Sequence, residues 1–219
     1  MHWSPMISVL NPELIEVTRL FPTPIAKIQH PDADRICAEL RDLILQRSEL
    51  CPGTKHSNQG GWQSEDFVPW AGKPGAELLQ FAQDLANEMS AISTPDGLVE
   101  AKLAWKYNAW ANVNGHGHAN AQHAHPGAYW SAVFWVDDGS EPDIDVAGEL
   151  EFIDPRGVMP LMYNADLRMK VAGCLTAGNS TAISPSSGHL LMFPSWLMHS
   201  VRRYEGRRPR ISVAFNFSV

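Results

Sequence analysis

A chain of 219 residues, 44% hydrophobic and 19% charged, is long enough for one well-cored domain. No apolar run approaches the length of a membrane span, and Met1-His2-Trp3-Ser4-Pro5 lacks the basic-then-apolar order of a secretory signal. The formal net charge of −7 disfavours indiscriminate nucleic-acid binding, and three cysteines (Cys37, Cys51, Cys174) in no metal-type spacing fit a reducing compartment, so the expected address is the cytoplasm.

Residues 13–29 read as a strand-like entry containing the rigid break Phe21-Pro22-Thr23-Pro24. Pro31-Asp32-Ala33-Asp34 resembles a helix start, and Ile36, Leu40, Leu43 and Leu45 supply an apolar stripe to about residue 47. The Gly-, Ser-, Asn- and Pro-rich segment 52–74 reads as an ordered loop carrying Trp62 and Trp70. A second helix is expected over 75–92, with Leu78, Leu79, Phe81, Leu85 and Met89 on its apolar face.

After Gly97 short β-rich runs dominate, at 99–113, 129–136, 148–153, 170–176, 189–193, 198–204 and 210–218. Tyr129 to Val136 is nearly all apolar, as in a strand covered on both faces. The last run alternates: Ile211, Val213, Phe215 and Phe217 against Arg210, Ser212, Ala214 and Asn216. The expected class is α+β, mainly β: a two-sheet jelly roll buttressed by N-terminal helices. A single domain spans 1–219 in this reading, with 1–98 as helical and loop-rich support and 99–219 as the core. The segment 154–170 reads as a lid or a long connection.

His123 and His125 are two residues apart, and on a strand such a pair shares one face. Three neutral imidazoles can hold a first-row divalent metal and leave coordination positions open. The alternative for His123 and His125 is a pair of loop histidines grouped with His116 and His118 in a glycine-rich turn. His199, after the turn that follows Gly188–Trp196, begins a returning strand; its alternative is a core histidine bonded to a carbonyl. His189 is assigned no role.

Five arginines lie between 202 and 210, and the first four read as a solvated turn around Glu205-Gly206. Arg210 differs, because it opens the last strand on its small, polar face with Ser212. A buried arginine needs an anionic partner, and a carboxylate held by Arg210 and Ser212 meets that need. Trp110, Trp130 and Trp135 could wall an aromatic pocket, but scattered tryptophans more often belong to a core.

The ordered set His123-Ala124-His125-Pro126, Gly148 to Pro155, Gly188 to His199 and Arg210 to Asn216 resembles the 2-oxoglutarate- and Fe(II)-dependent oxygenases. The resemblance covers 105–218, and extends more loosely to Phe21–Pro24 and Ser57–Ser64. It implies a double-stranded β-helix, with Fe(II), 2-oxoglutarate as cosubstrate and O2. The implied reaction is hydroxylation of an unidentified substrate, a small molecule or a protein side chain, with release of succinate and CO2.

The superfamily's iron triad is a His, a carboxylate two residues on, and a distal His. His123 and His199 match the two histidines, whereas His125 stands at the carboxylate position. The set is therefore three histidines, or two with His125 behind them, and the i, i+2 spacing favours His125 as a ligand. Asp137 and Asp138 are too far along the chain to replace it. Arg210 and Ser212 match the residues implied to hold the far carboxylate of 2-oxoglutarate, and Asn112 is a further candidate to bond it.

Two other readings stand beside this one. One is a three-histidine, cupin-like metal dioxygenase without 2-oxoglutarate; the other is a non-catalytic jelly roll that binds a small anion or a protein. A homodimer is the base-rate expectation for assembly.

Overall fold

A computed structural model of the chain describes residues 11–16, 18, 20–157 and 179–219. Among them a 3-10 turn, Pro12–Leu14, precedes β1 (Ala26–Gln29), α1 (Ala33–Leu50), β2 (Asn58–Gln59), β3 (Trp62–Gln63) and α2 (Val68–Glu88). There follow β4 (Ile92–Thr94), β5 (Gly97–Val99), β6 (Lys106–Asn114), β7 (Ala119–His123), β8 (Trp130–Asp137) and β9 (Leu150–Ile153). The chain ends with β10 (Ser180–Ile183), β11 (His189–Pro194), β12 (His199–Val201) and β13 (Arg210–Ser218).

Two antiparallel sheets result, one ordered β1-β11-β8-β13-β6-β3 and the other β10-β9-β12-β7-β2, with β4–β5 as a separate hairpin. Strand periodicity sorts the larger sheet's side chains into two cores. Its outer face, with Phe134, Leu190, Met192, Ile211, Val213, Phe215 and Phe217, packs with Ile36, Leu40 and Ile44 of α1 and Leu78, Ala82 and Ala86 of α2. Its inner face sends Trp135, Leu191 and Phe193 against Leu150 and Phe152 of the smaller sheet. The helices thus hold the larger sheet from behind, and its inner face is left to close over a pocket.

Several elements differ from the sequence reading, each for a local reason. The entry is strand only over Ala26–Gln29, which pairs with β11, because Pro22 and Pro24 have no N–H to give to a ladder. In α1 the deeply buried stripe is Ile36, Leu40 and Ile44 rather than Leu43 and Leu45, which lie at its flanks. The second helix spans 68–88 instead of 75–92. It is broken at Gly72 (φ 59°, ψ −141°), a left-handed backbone suited to glycine, and Pro74 sits in the first turn after the break. Near its end, Asn87 Oδ1 accepts from Leu103 N and from Trp105 Nε1.

The N-terminal portion contributes strands as well as helices, since β1 and β3 extend one sheet and β2 the other. The run expected at 99–113 starts at Lys106, and the one expected at 198–204 is a strand only through Val201, with Tyr204 making an isolated bridge to Ala147. Asp154–Gly157 forms a turn closed by Gly157 N–H on the Asp154 carbonyl. The rest of the 154–170 segment, the strand expected at 170–176 and Cys174 lie outside the described residues. No helix among the described residues is long and apolar enough to cross a membrane.

Candidate metal centre

His123 is the last residue of β7 and His199 the first of β12, and the two are directly paired across the strands. Paired residues project from one face, so the pairing brings both imidazoles to the inside of the smaller sheet. His125 lies two residues beyond the end of β7, and its position comes from its backbone N–H, which donates to Ser195 O at 2.9 Å. The same-face argument from a strand therefore does not apply to it; the turn achieves the convergence instead.

Ring centroids are 4.4 Å apart for His123–His199, 4.9 Å for His123–His125 and 5.2 Å for His125–His199. One nitrogen from each ring lies within 4.8 Å of the others, a spacing that suits one metal ion.

Backbone carbonyls set the tautomers. His123 Nδ1 lies 2.7 Å from Ala121 O and His199 Nδ1 lies 2.8 Å from Leu197 O. Carbonyls only accept, so each Nδ1 carries the hydrogen and each Nε2 keeps a lone pair for a ligand's role. Burial, then the nearby imidazoles of His199 and His123, push His125 down to about 3. Burial likewise lowers His199 to about 4, against the opposing pull of the Leu197 carbonyl. Both rings are thus neutral at neutral pH, the form that binds metals. No carboxylate joins the cluster among the described residues. Asp137 is engaged by Arg208 (2.9 Å) and Arg41 (3.2 Å), and Asp138 accepts from the Ser140 and Ser187 backbone.

A cavity between the sheets runs from these histidines to Arg210 and Ser212, with Asn112, Asn114, Trp110 and Trp135 on its wall. Arg210 is only 3% exposed. No acid within salt-bridge distance pairs with it among the described residues, and its Nε has no hydrogen-bond partner. Burial lowers its pKa to about 10, which leaves it charged at neutral pH. A buried cation facing a cavity, beside a serine hydroxyl, is a fit for a carboxylate. Three lone-pair imidazoles at one end and an orphaned guanidinium at the other fit a metal and an anionic chelator together.

The remaining candidates separate cleanly. His116 is exposed beside Glu205, His118 accepts from Gly115 N–H, and His189 lies 3.0 Å from Ser186 Oγ. Arg202 pairs with Glu151 on the surface, and Arg208 with the buried Asp137. Of the tryptophans, Trp110 and Trp135 line the inner cavity, whereas Trp130 packs in the outer core with its Nε1 on Ser90 Oγ.

Three contributors have no assigned role from the sequence alone. Ser57 lies 3.5 Å from His123 Nε2 and accepts from Asn120 Nδ2 at 3.2 Å. Tyr204 is fully buried where a Cβ on Gly148 would come 3.2 Å from its ring, and within hydrogen-bond reach of the Gly139 and Arg208 carbonyls it fixes the loop leading to Arg210. Beside His125 a second cleft is lined by Pro22, Pro24, Tyr129, Trp130, Pro194 and Trp196.

Residues 108–216 match a family described as "Putative 2OG-Fe(II) oxygenase". Among solved structures the chain is similar to a Pseudomonas putida prolyl-4-hydroxylase, at 17% identity over 88% of this chain and 91% of that one, TM-score 0.59. It is similar to a Trichoplax adhaerens prolyl hydroxylase in complex with a hypoxia inducible factor peptide fragment, at 11% identity over 88% and 82%, TM-score 0.60. It also resembles HygX of Streptomyces hygroscopicus with nickel and 2-oxoglutarate bound, at 16% identity over 90% and 83%, TM-score 0.54. At such identities the likeness is one of fold, the double-stranded β-helix expected from the sequence. No curated protein matches the chain by sequence.

Proposed function

Because the chain belongs to the 2OG-Fe(II) oxygenases, we propose that it hydroxylates a small molecule or a protein side chain through a site formed by His123, His125, His199, Arg210 and Ser212. The observation that carries the reading is Arg210, a charged guanidinium buried at the far end of the histidine-lined cavity with no ion pair among the described residues. His123, His125 and His199 would hold the metal. Arg210 and Ser212 would hold the distal carboxylate of 2-oxoglutarate, with Asn112 as an added polar contact.

When bound together, Fe(II), 2-oxoglutarate and O2 would supply the oxidation, converting the 2-oxo acid to succinate and CO2 as a substrate C–H becomes C–OH. The chain's own part is orientation and dryness. The carbonyls of Ala121 and Leu197 keep the Nε2 lone pairs of His123 and His199 available. Val133, Leu150, Phe193 and Val201 form apolar walls of the cavity and exclude water from it. The substrate would enter by the cleft at Tyr129 and Trp196, which are 60% and 54% exposed and lie on the His125 side. Two of the similar structures are prolyl hydroxylases, one holding a peptide, which supports a peptide side chain as one candidate. Residues 1–219 act as one unit in this proposal, with α1 and α2 as the buttress.

Anaerobic addition of Fe(II) and then 2-oxoglutarate should produce a visible charge-transfer band that neither gives alone. Bound iron without that band on saturation with 2-oxoglutarate would sink the cosubstrate assignment and favour a three-histidine dioxygenase of another kind.

A further inference from the structure

An indole N–H only donates, so a buried tryptophan needs an acceptor. Among the described residues three tryptophans have one: Trp62 Nε1 donates to Cys51 O at 2.9 Å, Trp105 to Asn87 Oδ1 at 3.0 Å and Trp130 to Ser90 Oγ at 2.8 Å. Trp135 is the exception. Its side chain is fully buried, and its Nε1 has no partner.

The register places that unused donor. Ser212 of β13 pairs with Trp135 of β8 on one side and with Asn112 of β6 on the other. Directly opposed residues project from one face, so Asn112, Ser212 and Trp135 form a row across three strands, with Arg210 next along β13. All four line the same cavity between the sheets. Two of its buried nitrogens, Arg210 Nε and Trp135 Nε1, lack partners, and they belong to neighbouring strands. The indole is also held in place, packed with Leu150, Phe152, Leu191, Phe193 and Leu197.

We propose that Trp135 is a positioning residue for the cosubstrate, its Nε1–H donating to the distal carboxylate held by Arg210 and Ser212. The inference rests on the 2-oxoglutarate reading above. A carboxylate accepts several hydrogen bonds at once, so the guanidinium, the hydroxyl and the indole can share it. The consequence is selectivity: a 2-oxo acid of the same length without the second carboxylate leaves the indole donor and the guanidinium unanswered.

Trp135→Phe keeps a ring in the core and deletes the donor. In anaerobic calorimetry on Fe(II)-loaded protein its affinity for 2-oxoglutarate should fall about tenfold, while its weak affinity for 2-oxopentanoate stays that of the parent. In the unmodified chain, loaded with Zn(II), the assigned indole N–H proton of Trp135 should move downfield on adding 2-oxoglutarate and stay in place with 2-oxopentanoate. Equal weakening of both acids, or an unmoved indole resonance, would reduce Trp135 to a packing residue and overturn the inference. Unchanged 2-oxoglutarate binding in Trp135→Phe would overturn it too, provided that Arg210→Ala loses binding in parallel. Full binding by Arg210→Ala would instead remove the 2-oxoglutarate reading itself.

Discussion

Arg210→Met should weaken 2-oxoglutarate binding by about a hundredfold or more, while leaving the ligand-free protein as stable as the parent or more so. Both halves follow from one fact: the guanidinium is 3% exposed, still charged, and without an ion pair among the described residues. A charge taken out of water without a partner is a cost to the empty fold, and methionine fills a similar volume without it. The same group becomes an asset only when an anion arrives. A structural arginine behaves in the opposite way, since its loss strands its partners and lowers the melting temperature. Arg210→Lys keeps a charge but loses the planar fork, so it should recover only part of the binding. Calorimetry with 2-oxoglutarate and thermal melts of the ligand-free variants check the two halves separately. A variant that melts far below the parent yet binds 2-oxoglutarate normally contradicts the account.

His199→Ala should reduce retention of Fe(II) by at least about a hundredfold, because even residues that merely support metal ligands cost 10–100-fold when removed. His199 is 4% exposed, clamped between Phe152 and Phe193 on one side and the Leu197 carbonyl on another. Nothing nearby replaces it, since the cluster found among the described residues consists of His123, His125 and His199 alone. His125→Ala asks a finer question, because that residue stands where the superfamily has a carboxylate. Its ring is as close to both other imidazoles as a shared ion requires, so its loss should also lower metal retention strongly. Metal content after gel filtration, by elemental analysis, reads both variants. Normal iron in His199→Ala would mean that the metal sits elsewhere, and normal iron in His125→Ala would place that ring behind the ligands.

What the sequence made legible follows period and chemistry. The two faces of β13 are readable because nine residues alternate without exception between apolar and small or polar, and the structure puts the first face on the helices and Arg210, Ser212 and Ala214 of the second on the cavity. β7, which carries His123, was not readable. Ala119-Asn120-Ala121-Gln122-His123 has no β-branched residue and no Phe, Tyr or Trp, and it is a strand only because β12 and β2 flank it. His125 converges with the others through a bond to Ser195, a partner seventy residues distant that no local pattern announces. From the sequence Trp135 reads as core, because scattered tryptophans more often belong to one. It is core by packing, and only the unanswered indole N–H and its register with Ser212 distinguish it. Gly72 hid the start of α2 in the same way, since a glycine beside Pro74 reads as the end of a loop rather than a break inside a helix.

The proposed function stands on this cavity's coupling of a metal to the oxidation of 2-oxoglutarate. Its most direct test is succinate formation by purified protein supplied with Fe(II), O2 and 2-oxoglutarate. Succinate and CO2 should form in equal amounts, released slowly alone and faster when a pool of candidate peptides and small molecules contains the substrate. This release should be abolished in His199→Ala and nearly so in Arg210→Met. Oxygen uptake without succinate, or succinate release that survives loss of Arg210, would contradict it.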